Sequence, residues 1–448
     1  MNAELAAAHI TGLKFTDLPP ATVAMAKHCL LDYLASAIAG LGFPSIACGH
    51  ALPAALGAKK ESSVLGQARK VPAACAAWAN SLLGNVLDFE DGHYPSLSHP
   101  GSVVFPAALA FSEKLGRDSR EFITATVIGY DILGCAGTLM ARRYRERTYG
   151  FGAPSVYAAA AVAARLLRLD QKQTEMALGI AGDYMPAIPL RFGAMTKSGG
   201  SWASFTGVLA AQLVAGGFTG QTATLQDPYM PEDDATARPY LLKLGREFAI
   251  DNVYFKRYPS CRWSHAAMDA VQAILAAHPL KTAQVTDVLV ETFTEALTLS
   301  SQNPANFAGC QFSVPMLLAF LINDGEYGLA QMSDDRISDP QVRALAAKVR
   351  MVVDPKLDKL FPKKRPARVT IKTIEGAAYT QEIREVHGEP GSDFARDGVR
   401  KKFFDVVPAR FGRAVARRMY ELVGNMDGVS ALAELYVLLR TRAKVASK

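Results

Sequence analysis

The stretch ATVAMAKHCLLDYLASAIAG, Ala21 to Gly40, decides how the first half of this chain is read. Val23, Ala26, Leu30, Leu34 and Ile38 recur at spacings of three and four, which is one face of a helix. Pro19-Pro20 precede the stretch as a start signal, and Gly40 supplies a stop. Its alanines suit a helix intrinsically. Small side chains also let helix axes approach closely. Related patterns run over Ala73–Leu87, Gly101–Leu115, Ser119–Met140, Pro154–Leu169, Gln173–Ala181 and Ser201–Ala215. The first 250 or so residues therefore read as a dense helical bundle.

After about residue 255 the pattern changes. Val285–Glu291 is a β-branched run. Ala367–Thr373 alternates, with Val369 and Ile371 on one face and Arg368, Thr370 and Lys372 on the other. Glu375-Gly376 can turn the chain, and Ala378–Ile383 can return as a partner strand. A helix over Ala308–Asn323 lies between these strands, and another over Ala266–Ala277 precedes them. From Val407 the chain reads as helix again, over Ala409–Leu422 and Val429–Arg442. The fold class is mainly α with a smaller α+β unit, and the helical tail suggests that the C-terminus rejoins the first unit.

The chain has 448 residues, enough for two or three domains. Hydrophobic residues make up 50% and charged residues 20%, the balance of a globular protein. The net charge of +7 is spread thinly, without the Lys/Arg stripe of a nucleic-acid-binding protein. Six cysteines, at 29, 48, 75, 135, 261 and 310, form no CxxC pair and read as reduced, mostly buried thiols. No uncharged apolar run reaches the ~18 residues of a membrane span. The N-terminus does not read as a signal peptide, and a cytoplasmic setting without a membrane partner is expected.

Four segments carry the residue types of a chemical site. LDFEDGHYPSLSHPG (Leu87–Gly101) puts three carboxylates and two histidines between helices. A histidine tuned by a carboxylate can move protons near neutrality. Local capping by Asp91 or Ser98 is the plainer reading. A metal site is not expected, because the two histidines have an unusual spacing and no third ligand follows. MTKSGGSWA (Met195–Ala203) puts Lys197 ahead of a Gly-rich turn that opens a helix, where free N–H groups favour anions. A P-loop is excluded, since its lysine follows the glycines. FKRYPSCRWSH (Phe255–His265) mixes cations, aromatics and a histidine. Cys261 with His265 suggests either a reactive pair or two packing residues. ARRYRERTY (Ala141–Tyr149) offers guanidinium forks for carboxylates, or a solvated helix end.

Taken in order, these segments resemble the MmgE/PrpD family. LLDYLASAIAG looks like that family's first helix, and NVLDFEDGHYPSLSHPGSVVFPAALA like its LDFDD…HPG segment. GAMTKSGGSWASFTGVLAAQLVAGGFTG looks like its lysine segment, FKRYPSCRWSHAAMDA like its K-x-Y-P…H…DA segment, and HGEPGSDFARDGVRKKF like its GxP…KF segment. Any one match is weak; five in the correct order are strong.

The resemblance implies an all-helical domain over 1–265 with 403–448, an α+β lid domain over 266–402, and a homodimer with the site between domains. It implies cofactor-independent chemistry on small di- or tricarboxylates, through a carbanion-like centre beside a carboxylate. Carried over by motif, the catalytic residues are Asp88, Asp91, His99, Lys197 and His265, with His99 and His265 as an acid/base pair. Arg147, Arg191, Tyr149 and Tyr258 are candidates for substrate binding. The sequence also departs from the family. Where many members have GFHPT, this chain has GFGAPS (Gly150–Ser155), without the histidine. The Asp88-to-His99 spacing is one residue longer than in the decarboxylase branch, and Met316 stands where a tyrosine is common. These departures argue against a straightforward cis-aconitate decarboxylase and do not themselves establish a 2-methylcitrate dehydratase; the expected reaction is a 2-methylcitrate dehydratase-like elimination. An iminodisuccinate-type epimerase, or a non-catalytic partner-binding relative, is the alternative.

Overall fold

The computed structural model describes residues 3–43, 56–57, 59–145, 152–185, 194–220, 239–428 and 431–443. Of these, 142–145, 194–198 and 393–396 are described by their backbone alone. The first half is helical: α1 (Ala3–Gly12), α2 (Pro20–Gly40), α3 (Ala73–Asn85), α4 (Gly101–Leu115), α5 (Ser119–Arg145), α6 (Gly152–Leu167), α7 (Gln171–Asp183) and α8 (Ala194–Ala215). In α2 the predicted face is buried at Val23, Ala26, Leu30, Leu34 and Ile38, but Leu31, Tyr33, Ala35 and Ala37 are buried too. The helix is enclosed on nearly every side in its C-terminal half. Each fully buried Leu or Ile there stabilises the fold by about 1.5–3 kcal/mol.

Residues Ser119–Ala141 of α5 are long and apolar enough to cross a membrane, yet 89% of the apolar window is buried inside the protein, as in a core helix. Asp131 within it holds His9 at 3.1 Å and accepts the Ala249 N–H at 2.8 Å.

Glycines decide how α6 and α8 meet. A Cβ on Gly207 would sit 2.4 Å from the Val156 carbonyl oxygen, and one on Gly152 would sit 2.6 Å from the Gly199 carbonyl. Gly199 and Gly200 therefore do not form the turn expected ahead of a helix at Ser201. The helix runs through them from Ala194, and Gly199 serves as a contact point for α6.

The second half begins with α9 (His265–Ala277). Strands β5 (Val285–Thr292), β6 (Val349–Val353), β7 (Ala367–Thr373) and β8 (Ala378–Ile383) form a sheet in the order β6-β5-β7-β8. β5 and β6 are parallel, and the other pairs antiparallel. β7 buries Val369 and Ile371 as its alternation requires, and α9 packs on β7 and β8. The helix expected over Ala308–Asn323 is split into Phe307–Cys310 and α10 (Val314–Asp324), because the Ser313 hydroxyl caps the Met316 N–H at 3.2 Å and restarts the chain.

The chain then returns to the bundle through α11 (Asp393–Phe411), α12 (Arg413–Gly424) and α13 (Ala431–Leu439). Gly412, at φ +86°, breaks the helix expected over Ala409–Leu422. α11 lies on α2, where Lys402 Nζ meets the buried Asp32 Oδ1 at 2.8 Å. The architecture is mainly α with small sheets. Short two-residue pairs, β1 (Ser62–Ser63) with β2 (Lys70–Val71) and β3 (Gly92–His93) with β4 (Val253–Tyr254), complete it.

Candidate active site

The acidic loop after α3 is buried, not solvated: Asp88, Glu90 and Asp91 are 2%, 0% and 1% exposed. Asp88 has a left-handed backbone, φ +51°, which aspartate tolerates better than most residues. Two lysines from distant parts of the chain pin this loop. Lys256 Nζ, 0% exposed, lies 3.0 Å from Asp88 Oδ2 and donates to the Asp88 carbonyl at 2.9 Å. Lys402 donates to the Phe89 carbonyl and to Asp32. Asn85 donates to Glu90, whose other oxygen, Oε2, is buried without a partner among the described residues.

His99 sits at the end of this loop, ahead of α4, with its side chain 18% exposed. Its Nδ1 lies 3.0 Å from the Asp91 carbonyl oxygen. A carbonyl only accepts, so Nδ1 carries the proton and Nε2 keeps its lone pair. Nε2 faces Asp88 Oδ1 at 3.9 Å. Burial first, and then the Lys256 charge, push the imidazole pKa down, so the ring is neutral at pH 7. Asp91 works one layer further in: Oδ1 accepts the Gly101 N–H at 2.9 Å, capping α4, and Oδ2 accepts the Tyr130 hydroxyl at 2.6 Å. Burial and the neighbouring Asp32 push Asp91 up to about 7.

His265, 0% exposed, also feels the Lys256 charge. Its Nε2 lies 3.3 Å from the Ser260 carbonyl oxygen and its Nδ1 lies 3.4 Å from Arg262 Nη1. By the same logic Nε2 carries the proton and Nδ1 accepts. Burial, Arg262 and Lys256 hold it well below the usual histidine range. Both ring nitrogens are thus engaged within the protein, which suits a positioning group better than the acid/base partner expected for His99. Tyr258 meets the His265 ring edge-on at 5.1 Å, but its hydroxyl is taken by Asp269 at 2.7 Å and Gln272 at 2.8 Å. It is 2% exposed and packs as a structural residue.

Arg262 ties this centre to the segment before α11. It donates to the His387 carbonyl at 2.8 Å, to Glu389 Oε1 at 2.8 Å and, through Nε, to the Tyr94 hydroxyl at 3.0 Å. The Tyr94 hydroxyl donates to Glu389 Oε1 at 2.5 Å, and its ring stacks on Tyr254 at 4.3 Å. Phe255 donates its N–H to the Gly388 carbonyl at 2.9 Å.

The structure thus brings Asp88, His99 and His265 within the influence of Lys256, to which the sequence alone assigns no role, while Asp91 holds His99 from the layer behind. Lys197 lies in the first turn of α8, with its backbone described. Arg147, Tyr149 and Arg191 lie outside the described residues. At the position of the absent family histidine, the Gly152–Gly199 contact leaves no room for a side chain. Among the described residues no cluster of three His, Cys, Asp or Glu is arranged to hold a metal ion. A cavity of about 380 Å³ opens beside Tyr94 and Asp131, and Asp88, Asp91, His99, Lys256 and His265 do not line it.

Residues 4–230 match the profile described as the MmgE/PrpD N-terminal domain, and 258–427 match the MmgE/PrpD C-terminal domain. The chain is 25% identical to a cis-aconitate decarboxylase-like protein of Aspergillus oryzae, over 96% of this chain and 95% of the relative. It is 22% identical to cis-aconitate decarboxylase of Homo sapiens, over 96% and 93%. To that of Mus musculus it is 23% identical, over 96% and 92%.

Proposed function

Because the chain belongs to the MmgE/PrpD family, we propose that it is a cofactor-independent lyase that abstracts a proton next to a carboxylate of a small di- or tricarboxylate. The observation that carries this reading is the neutral His99, its tautomer fixed by the Asp91 carbonyl, beside the buried Lys256–Asp88 pair. A base that is neutral at pH 7 and a nearby cation are what carbanion formation needs.

His99 Nε2 takes the proton. The electron pair left on carbon is stabilised by the cations as charge spreads into the adjacent carboxylate. In an elimination it forms the C=C bond while the β-hydroxyl leaves, protonated, as water. Lys197 is assigned to carboxylate binding and to supplying that proton. His265 positions Lys256 and Arg262. Asp88 holds Lys256, and Asp91 orients His99 through its carbonyl. Arg147, Arg191 and Tyr149 remain assigned as substrate anchors. The α+β unit acts as a lid over a site between two domains, in a cytoplasmic homodimer.

Elimination like that of 2-methylcitrate dehydratase is the first reading. Decarboxylation is the second, favoured by the names of the relatives above. The test is incubation with 2-methylcitrate, citrate, cis-aconitate and aspartate-like diacids in deuterated buffer. An unsaturated acid marks a dehydratase, released carbon dioxide a decarboxylase, and exchange without net product an epimerase. No exchange with any acid, together with a His99→Gln variant that behaves like wild type, sinks the enzymatic reading.

A further inference from the structure

The buried cations of the centre and of its Tyr94 flank can be paired off by distance. Lys256 takes Asp88 at 3.0 Å and Arg262 takes Glu389 at 2.8 Å. Arg365 takes neither. It is 3% exposed, and its Nε and Nη1 are buried with no hydrogen-bond acceptor among the described residues. Its guanidinium carbon lies 3.4 Å from the Tyr94 ring centre and 5.6 Å from that of Phe361. Aromatic faces attract a guanidinium, but they do not accept its in-plane N–H groups. A buried charge with unmet donors is costly, and natural proteins keep one where something outside the chain completes it.

Nor is this arginine loosely held. Tyr94, the plane beneath it, is fixed by Arg262, by Glu389 and by its stack on Tyr254. Arg262 in turn touches His265 at 3.4 Å. Three contacts thus connect Arg365 to the centre around Lys256, and Glu389, the carboxylate nearest to Tyr94, already accepts from Arg262 and Tyr94. A rigid, desolvated guanidinium fork with spare donors matches a carboxylate in geometry and charge.

We propose that Arg365 is a substrate anchor that takes a second carboxylate, remote from the reacting carbon, and so selects polycarboxylates over monocarboxylates. This rests on the function proposed above. It gives the Lys-Lys-Arg-Pro run before β7 a role in specificity.

The test is isothermal titration of the full-length protein at pH 7 with tricarballylate and with butyrate, comparing wild type, Arg365→Met and Arg365→Lys. Methionine fills the same space without donors. Wild type is expected to bind tricarballylate, Arg365→Met to bind it about 10- to 100-fold more weakly, and Arg365→Lys to fall between. Butyrate binding is expected to stay unchanged in all three. Equal tricarballylate affinity in wild type and Arg365→Met overturns the inference and indicates that an ordered water alone completes Arg365. Wild type binding no polycarboxylate sinks the functional reading and this inference with it. If Arg365→Met does not fold, the Arg365 Nε–Hε resonance of wild type, assigned by its loss in Arg365→Lys, decides. A shift on adding tricarballylate supports the anchor, and an unmoved signal at saturation refutes it.

Discussion

Replacing Lys256 by methionine should be among the most damaging single changes in this protein. The ammonium sits 3.0 Å from Asp88 Oδ2 and is fully buried. At an effective dielectric of ~20, two charges at that separation attract by roughly 5 kcal/mol. Removing Lys256 takes the countercharge at 3.0 Å away from a buried carboxylate, a defect of ~3–5 kcal/mol in comparable pairs. The Asp88 carbonyl loses its donor as well. Lys256→Met is therefore expected to lower stability by about 4 kcal/mol in guanidinium unfolding followed by circular dichroism. Adding Asp88→Asn should restore a large part of that loss, since it removes the buried negative charge that Lys256 offsets. A second readout comes from His99. Lys256 pushes its imidazole down, so in the variant His99 should titrate at higher pH, visible by histidine NMR. Stability within 1 kcal/mol of wild type, no relief from Asp88→Asn, or an unmoved His99 titration would show that Lys256 is not the electrostatic centre described.

His99→Gln keeps an amide near the Asp91 carbonyl but has no basic lone pair. Deuterium exchange into a bound polycarboxylate should fall by about 100-fold or more, with binding little changed. Asp91 makes stability depend on pH with an unusual sign. Its folded pKa of about 7 lies above the unfolded value, so the folded state holds a proton the unfolded state has lost. Its contribution therefore falls as pH rises from ~4 to ~7, by on the order of 4 kcal/mol. Asp91→Asn, which keeps the acceptor for Gly101, should flatten that part of a stability–pH curve; an unchanged slope would rule Asp91 out as its source. Gly152→Ala places a Cβ 2.6 Å from the Gly199 carbonyl. It should lower the melting temperature through an overpacking cost of ~1–3 kcal/mol, and Gly152→His should cost at least as much rather than restore activity.

The helices were legible because apolar spacing reports burial directly; α2 and α4 start within one residue of their expected positions. The errors arose where local chemistry and packing disagree. Gly199-Gly200 has the composition of a turn, yet its glycines serve helix contact. β6 (VRMVV) was missed: it is short and largely exposed, and is held by β5 rather than by its own pattern. In the site, histidines and carboxylates drew notice because their chemistry is visible in the residue type. Lys256 and Arg365 did not, because a cation in FKRYP or KKRP looks solvated until the fold buries it. The apolar VYF ahead of Lys256 and its place as the K of the K-x-Y-P match were the available hints. His265 shows the converse: its motif marked it, and only the structure reveals that both nitrogens are engaged.

The Asp32–Lys402 pair joins residues 370 apart, with Asp32 fully buried. During synthesis α2 emerges from the ribosome long before α11, so Asp32 has no countercharge until nearly nine-tenths of the chain exists. The bundle cannot close around α2 in its final form before then. Early segments must wait partly open, with the Ala-rich faces of α2 and α3 in need of protection from aggregation. A chain cut short anywhere before Lys402 would not be a smaller version of this protein. It would be a bundle with an uncompensated charge at its centre, and a target for the cell's quality control.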